Sequence, residues 1–150
     1  MNMCSRKVLI RGAWGFAALL VLIQLVPYGR NHSTPATVSE PAWDSPATLG
    51  LAKAACFDCH SNQTVWPPVS AIAPVSWLVY YDVVEGRKEL NFSDWQGGQR
   101  AAGRISKIRE EVNDGEMPPL IYRAMHPAAR LTDAEKEQLL SGLATTLGGK

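Results

Sequence analysis

The feature that most constrains how this chain can fold is the pentapeptide Cys-Phe-Asp-Cys-His at residues 56–60. Side chains three positions apart lie on the same face of a helical turn, so the thiols of Cys56 and Cys59 point the same way. The next residue, His60, offers an imidazole nitrogen that can bind a metal. This spacing is typical of the attachment site of a c-type haem, where two thioether bonds hold the porphyrin and the histidine binds the iron. We therefore predict one covalently bound haem c.

Other interpretations of the cysteine pair fit the sequence less well. A thioredoxin-like redox site needs a preceding strand and a βαβ surround, and neither pattern is present. A structural zinc site needs two further ligands, but the other cysteine is Cys4 and the remaining histidines are His32 and His126. A disulfide within the pair would close too short a loop to stabilise much. We keep one alternative to haem, a protein that uses the two cysteines as a thiol pair or as ligands of a metal ion.

The N-terminal segment combines positive charge with a long apolar run. Arg6, Lys7 and Arg11 precede the run Gly12–Val26, which is apolar apart from one glutamine. Because basic residues stay on the cytoplasmic side, we predict that residues 1–30 form a cytoplasmic tail and a single-pass anchor in a bacterial inner membrane. A cleaved signal peptide is the alternative. In both cases the C-terminal domain lies in the periplasm, and in the first the N-terminal helix contacts membrane lipid.

The rest of the chain divides into a polar stretch and a single domain. Residues 31–45 are rich in Asn, Ser, Thr, Pro and Glu, with little periodicity, which predicts a flexible tether. Residues 46–150 have a length that suits one compact core. The formal net charge is +1, and no basic block follows the N-terminal residues. We therefore expect no nucleic acid partner.

Helix signals recur through residues 46–150. The predicted helices run from Pro46 into the cysteine pair, from Pro74 to Gly86 as a buried helix, from Ser93 to Asn113, and from Thr132 to Leu147. Ser45 is the expected cap of the first helix. Ser93 and Gln96 have capping-box spacing, as do Thr132 and Glu135. Because no stretch alternates like a strand, we predict an all-α, cytochrome c-like small helical domain of about four helices, preceded by one N-terminal transmembrane helix.

An electron-carrying haem usually has a second axial ligand, and three residues are candidates for it: Met117, Met125 and His126. Met117 lies within Gly115–Pro119, where two prolines stiffen the loop that would present its thioether to iron. Met125 and His126 stay open as alternatives, as does an iron without a second protein ligand. We predict that His60 is the proximal ligand and that Met117 is the distal one.

The region from Leu49 to Leu147 resembles the bacterial haem-binding domain family of short cytochrome c-like proteins with an N-terminal membrane segment. The resemblance is carried by CFDCHSNQTVWPPVSAIAPVSWLVYYDVVEGRKELNFSDW, by GEMPP and by HPAARLTDAEKEQL. It implies that Cys56 and Cys59 attach a haem and that His60 binds its iron. Similarity to cytochromes c in general extends this to Met117. The resemblance does not point to a particular redox partner.

Besides the haem-free alternative, two haem-based functions are compatible with these features. The first is electron transfer at the periplasmic face of the membrane, by a protein that carries electrons and is not a catalyst. The second is a haem-based sensor or a peroxidase-like enzyme, which would need an open distal position. The first is favoured, because no Arg-His pair that could act over an open distal position is evident near the prolines.

Overall fold

The computed structural model of the chain describes residues 3–95 and 103–148. These residues contain seven α-helices and two 3-10 turns: α1 (Met3–Ile23), α2 (Pro46–Ala55), α3 (Phe57–His60), a turn at Pro68–Ala71, α4 (Val75–Glu89), α5 (Arg104–Asn113), α6 (Leu120–Met125), a turn at Pro127–Ala129, and α7 (Asp133–Gly148). Within the described ranges no strand forms, and the one β-bridge joins Ser39 to Asp94. The prediction of an all-α fold is confirmed, although α3 and α6 make the helices more numerous than expected.

The predicted caps at the starts of α2 and α7 are confirmed. The Ser45 hydroxyl accepts a hydrogen bond from the Thr48 N–H at 3.2 Å. At α7, the Thr132 N–H donates to the Glu135 carboxylate at 2.8 Å, and the Glu135 N–H donates to the Thr132 hydroxyl at 3.3 Å. The capping box predicted at Ser93 includes a residue, 96, that lies outside the described residues.

The helix predicted from Pro74 to Gly86 is present as α4, but it does not end at the glycine. It continues to Glu89. It is also only partly buried, since Val83 is 2% exposed while Tyr81 is 55% exposed. Gly86 thus lies inside the helix and does not end it. Its close neighbour, the backbone of Cys59, explains why this residue is a glycine.

The prediction of an N-terminal transmembrane helix is wrong. No helix within the described residues combines the length and the apolar character needed to cross a membrane. Arg6, Lys7 and Arg11 lie in the first half of α1, and the apolar part that follows, Gly12–Ile23, has only twelve residues. At 1.5 Å per residue that part is about 18 Å long, compared with about 30 Å for the hydrocarbon core of a bilayer.

The chain divides into two compact units. The first comprises Met1–Ser33 with Trp66–Asp82, and the second comprises Thr34–Val65 with Val83–Lys150. In the first unit, the Gln24 side-chain amide donates to the Ala73 carbonyl and accepts from the Ala73 N–H, both at 3.0 Å. The division of the sequence at residues 30 and 45 stays a prediction.

The core of the second unit forms where α7 packs against α2 and α5. Its fully or nearly buried members are Ala52, Phe57, Phe92, Leu139, Leu143 and Leu147. Part of the segment predicted as a tether also contacts this unit, since the Val38 N–H donates to the Ser93 carbonyl at 2.8 Å and the Asn62 amide donates to the Ala36 carbonyl at 3.0 Å. Because Phe57 is one of the buried residues, the core of the second unit fixes the first residue of α3.

We expect Gly142→Ala to destabilise the protein, because a Cβ at this position of α7 would overlap the Thr48 side chain of α2, coming within 2.7 Å of its Cγ2. Overpacking costs about 1–3 kcal/mol. The clash also reaches the Thr48 Cβ at 2.9 Å, which a change of rotamer cannot relieve, so the cost should exceed the ~1 kcal/mol that alanine gains over glycine in a helix. The control is Gly50→Ala in α2, where the added methyl meets nothing within 4 Å and should stabilise. Urea unfolding compares the two, and a Gly142→Ala variant as stable as the wild type would contradict this packing.

Candidate functional site

The two cysteines of the pentapeptide lie on one helical turn that directly follows α2. The His60 N–H donates to the Cys56 carbonyl at 2.8 Å, and the Cys59 N–H donates to the same carbonyl at 3.2 Å. Neither cysteine is in a disulfide. Burial, and after it the neighbouring Cys59, raises the pKa of the Cys56 thiol to about 12. The structure thus brings both thiols and the imidazole together on a single turn, with Cys56 as a neutral thiol.

Phe57 lies between the two cysteines in the sequence, and its buried side chain fixes the orientation of this turn. Phe57 is 4% exposed. Its ring stacks on Phe92 with 5.4 Å between centroids and lies 5.9 Å from the ring of Trp43. Rotating the turn would expose this buried ring, so the core holds the orientation of the cysteine pair.

The imidazole of His60 is held at one nitrogen by two backbone carbonyls. Its Nδ1 lies 2.8 Å from the Gly86 oxygen and 3.1 Å from the Leu90 oxygen. Because both neighbours are acceptors, Nδ1 carries the proton and Nε2 keeps its lone pair. Burial lowers the pKa of His60, and the two carbonyls together with Glu111 and Glu89 oppose that shift. A neutral imidazole with an anchored Nδ1–H is the form that binds metals.

Gly86 lets α4 come this close to the turn. A Cβ at this position would lie 2.6 Å from the Cys59 carbonyl oxygen and 3.1 Å from the Cys59 Cβ. Such a distance to backbone is sterically impossible for a side chain, so only glycine allows the Gly86 carbonyl to reach His60. Sequence reasoning interpreted this glycine as a helix end. A glycine followed by three helix-favouring residues, Arg87, Lys88 and Glu89, was the signal for a close approach inside a helix.

A second set of contacts stabilises residues 61–65, the segment that follows the turn. The Arg87 guanidinium donates from Nε to the Ser61 carbonyl at 2.8 Å and from Nη2 to the Thr64 hydroxyl at 2.9 Å. The Asp58 carboxylate accepts from the Val65 N–H at 2.9 Å through Oδ1. Sequence reasoning missed both charged residues, because Asp58 occupies a variable position of the pentapeptide and Arg87 lies 26 residues from Ser61. These contacts make residues 58–65 a fixed segment.

The other oxygen of Asp58 binds a residue from α6. The Tyr122 hydroxyl donates to Asp58 Oδ2 at 2.7 Å. Burial, and then the bond to Asp58, raises the pKa of Tyr122, so the phenol stays protonated. The ring of Tyr122 stacks on His126 with 4.0 Å between centroids, and His126 Nδ1 lies 3.0 Å from the Tyr122 carbonyl. No feature of the sequence marked Tyr122.

Met117 lies on the loop between α5 and α6. Its N–H donates to the Glu111 carbonyl at 3.0 Å, and so does the N–H of Glu116 at 2.9 Å. The carboxylate of Glu111 is one of the charges that act on His60. Met117 is 37% exposed and Met125 is 48% exposed, so neither residue belongs to the core.

Met117 also lines a cavity of about 440 Å³ in the second unit. The Nε–H of Arg123 is buried and has no partner within the described part of the chain. The wall of this cavity is therefore apolar, with cationic side chains and one unpaired N–H donor. Such a wall matches the chemistry of haem, which is a large apolar group that carries carboxylates. The cysteines and His60 do not line this cavity. Its lining includes Val112, Leu120, Leu131, Arg123, Arg130 and Lys136.

The described residues contain no cluster of three or more His, Cys, Asp or Glu that could hold a metal ion on its own. The zinc interpretation therefore gains no support from the part of the molecule that is described.

Comparison with known proteins agrees with this chemistry. The chain is 29% identical to the cytochrome c peroxidase Ccp of Escherichia coli (strain K12) over 152 aligned residues, which cover 96% of this chain and 33% of that protein. The chain thus spans about a third of the length of that relative. No solved structure matches it. The family described as a haem-binding domain matches residues 18–145. This match covers most of the sequence, and the protein belongs to the haem-binding domain family.

Proposed function

We propose that this protein is a c-type cytochrome that binds one haem through Cys56 and Cys59 and transfers electrons. The observation that carries the proposal is the turn itself: two thiols three residues apart are followed by an imidazole whose Nδ1 is held by the carbonyls of Gly86 and Leu90. A free thiol pair would not need that imidazole, and a surface histidine would not need those two acceptors. Membership of a haem-binding family supports the same cofactor.

Each residue of the site has a part in this function. A bound haem supplies one-electron chemistry at its iron. Cys56 and Cys59 fasten the porphyrin, and His60 presents Nε2 to the metal because its other nitrogen is hydrogen-bonded. Met117 is the proposed second ligand, and a thioether in that place raises the reduction potential relative to a second histidine. The Arg123 Nε–H, which has no partner within the described residues, lines the same cavity as Met117 and is the proposed donor to a haem carboxylate.

A second candidate is a peroxidase-like activity, and the likeness to cytochrome c peroxidase favours it. The chain aligns with only 33% of that protein, and peroxidase chemistry needs an iron with an open position. Ready binding of carbon monoxide by the reduced wild-type protein would favour this candidate over electron transfer, because two protein ligands on the iron would resist it.

We also propose a periplasmic location for the haem domain. Arg6, Lys7 and Arg11 precede an apolar run, which is a pattern of exported bacterial proteins. We expect alkaline phosphatase fused after Lys150 to be active in bacterial cells. A fusion of that enzyme without activity, together with bright fluorescence of a fusion to a reporter that matures only in the cytoplasm, would contradict the proposed location.

We expect the protein to carry haem covalently when it is produced with a cytochrome c maturation system. The double variant Cys56→Ser, Cys59→Ser should lose all covalent haem, because neither thiol of the pentapeptide remains to form a thioether bond. The matched control is Cys4→Ser, which should retain the haem. Haem-stained denaturing gels and the pyridine haemochrome spectrum measure the outcome. Covalent haem in the double variant, or its loss in the control, would contradict the attachment site.

We expect Met117→Ala to remove the weak far-red absorption band of thioether-ligated ferric haem and to lower the reduction potential. The drop should fall within the roughly 0.8 V range that axial ligands set. Met125→Ala is the control, because its side chain is more exposed than that of Met117, and it should keep both properties. Absorption spectra of the oxidised proteins and redox titrations compare both variants with the wild type. A band that survives in Met117→Ala and disappears in Met125→Ala would reverse the assignment.

A further inference from the structure

Asp58 is the one acidic residue within the pentapeptide, and it uses each carboxylate oxygen for a different segment of the chain. Oδ1 accepts from the Val65 N–H at 2.9 Å, within the fixed segment that follows the turn. Oδ2 accepts from the Tyr122 hydroxyl at 2.7 Å, across 64 positions of sequence. Both partners belong to the second unit. The Tyr122 bond is thus a direct link between the proposed haem-attachment turn and α6.

The helix that carries Tyr122 is joined closely to the loop that carries Met117. Helix α6 begins at Leu120, directly after Pro118 and Pro119. The Arg123 N–H donates to the Pro119 carbonyl at 3.0 Å, and the Arg123 guanidinium donates to the Gly115 carbonyl at 3.0 Å. These bonds tie both ends of the Gly115–Pro119 loop to α6. A displacement of α6 would therefore move the Met117 backbone with it.

The same tyrosine also holds His126, which is one of the residues that could compete for an iron. Its ring lies almost parallel to the His126 ring, at an angle of 17° and 4.0 Å between centroids. The His126 Nδ1 interacts with the Tyr122 carbonyl at 3.0 Å. Tyr122 therefore keeps the His126 imidazole against α6 while its hydroxyl fixes α6 to Asp58.

We propose that Tyr122 is a positioning residue that selects the distal haem ligand. Its hydrogen bond to Asp58 fixes the Met117 loop relative to the attachment turn, so that the thioether and not a competing ligand occupies the sixth position of the iron. The inference rests on the proposed function, since it concerns the same haem. It adds a residue that lies outside the attachment pentapeptide.

The energetic argument follows from the type of bond. A partly buried hydroxyl that donates to a carboxylate forms a charge-assisted hydrogen bond, which is stronger than one between neutral groups. Removing the donor lets α6 and the loop move away from the turn at lower cost. The population of molecules in which Met117 has left the iron should then rise roughly ten- to a hundredfold, the factor expected for a hydrogen bond to a charged group.

The test is Tyr122→Phe, which removes the hydroxyl and keeps the ring that stacks on His126. Imidazole added to the ferric protein competes with the thioether, so its apparent affinity measures how easily Met117 leaves. We expect this affinity to rise roughly tenfold or more in Tyr122→Phe, with an unchanged amount of covalent haem. The matched control is Tyr81→Phe, an exposed tyrosine of α4, for which the affinity should match the wild type.

A second variant, Asp58→Asn, removes the charge from the other side of the bond and should raise the imidazole affinity in the same way. Combining it with Tyr122→Phe should produce little further change, because both substitutions remove the same interaction. Fully additive effects, or wild-type imidazole affinity in both single variants, would overturn the proposal. A wild-type protein without covalent haem would instead overturn the proposed function, and a wild type whose far-red band does not depend on Met117 would overturn the ligand assignment.

Discussion

The hydrogen bonds that hold His60 are the constraint on which the rest of the site depends. Its Nδ1–H points at two backbone oxygens, those of Gly86 at 2.8 Å and Leu90 at 3.1 Å. Turning the ring away would leave a buried donor unpaired, which costs about 1–3 kcal/mol. Both acceptors lie at the C-terminal end of α4, where carbonyl groups carry partial negative charge. One helix end therefore sets the orientation and tautomer of the imidazole and leaves Nε2 for a metal.

The turn that carries the cysteines is fixed from its other sides by two different kinds of interaction. Phe57 buries its ring in the core between α2 and α7, so apolar packing sets the position of the turn. Asp58 and Arg87 hydrogen-bond to the segment at residues 61–65 and set its shape. Tyr122 then joins this rigid part to the loop of the proposed distal ligand. The turn, the segment after it and the Met117 loop are thus held by contacts between the chain's own residues.

The parts of the structure that local signals control could be predicted from the sequence. The caps at Ser45 and Thr132 lie within three residues of their partners, and both helices begin where expected. Gly86 was misinterpreted because its role depends on Cys59, 27 positions away, and the Tyr122 bond to Asp58 spans 64 positions. A single sequence carries no trace of such pairs. The transmembrane prediction failed because it gave more weight to the apolar run than to three cations within the same helix.

The central claim is that a haem is joined to both sulfurs of the turn. Mass spectrometry of tryptic peptides from protein matured in a bacterial periplasm tests it most directly, because Cys56 and Cys59 fall within one peptide, residues 54–87, between Lys53 and the next basic residue. The account predicts that this peptide carries the mass of one haem and that alkylating reagents find no thiol in it. An unmodified peptide with two reactive thiols, from protein that is fully folded, would contradict the account.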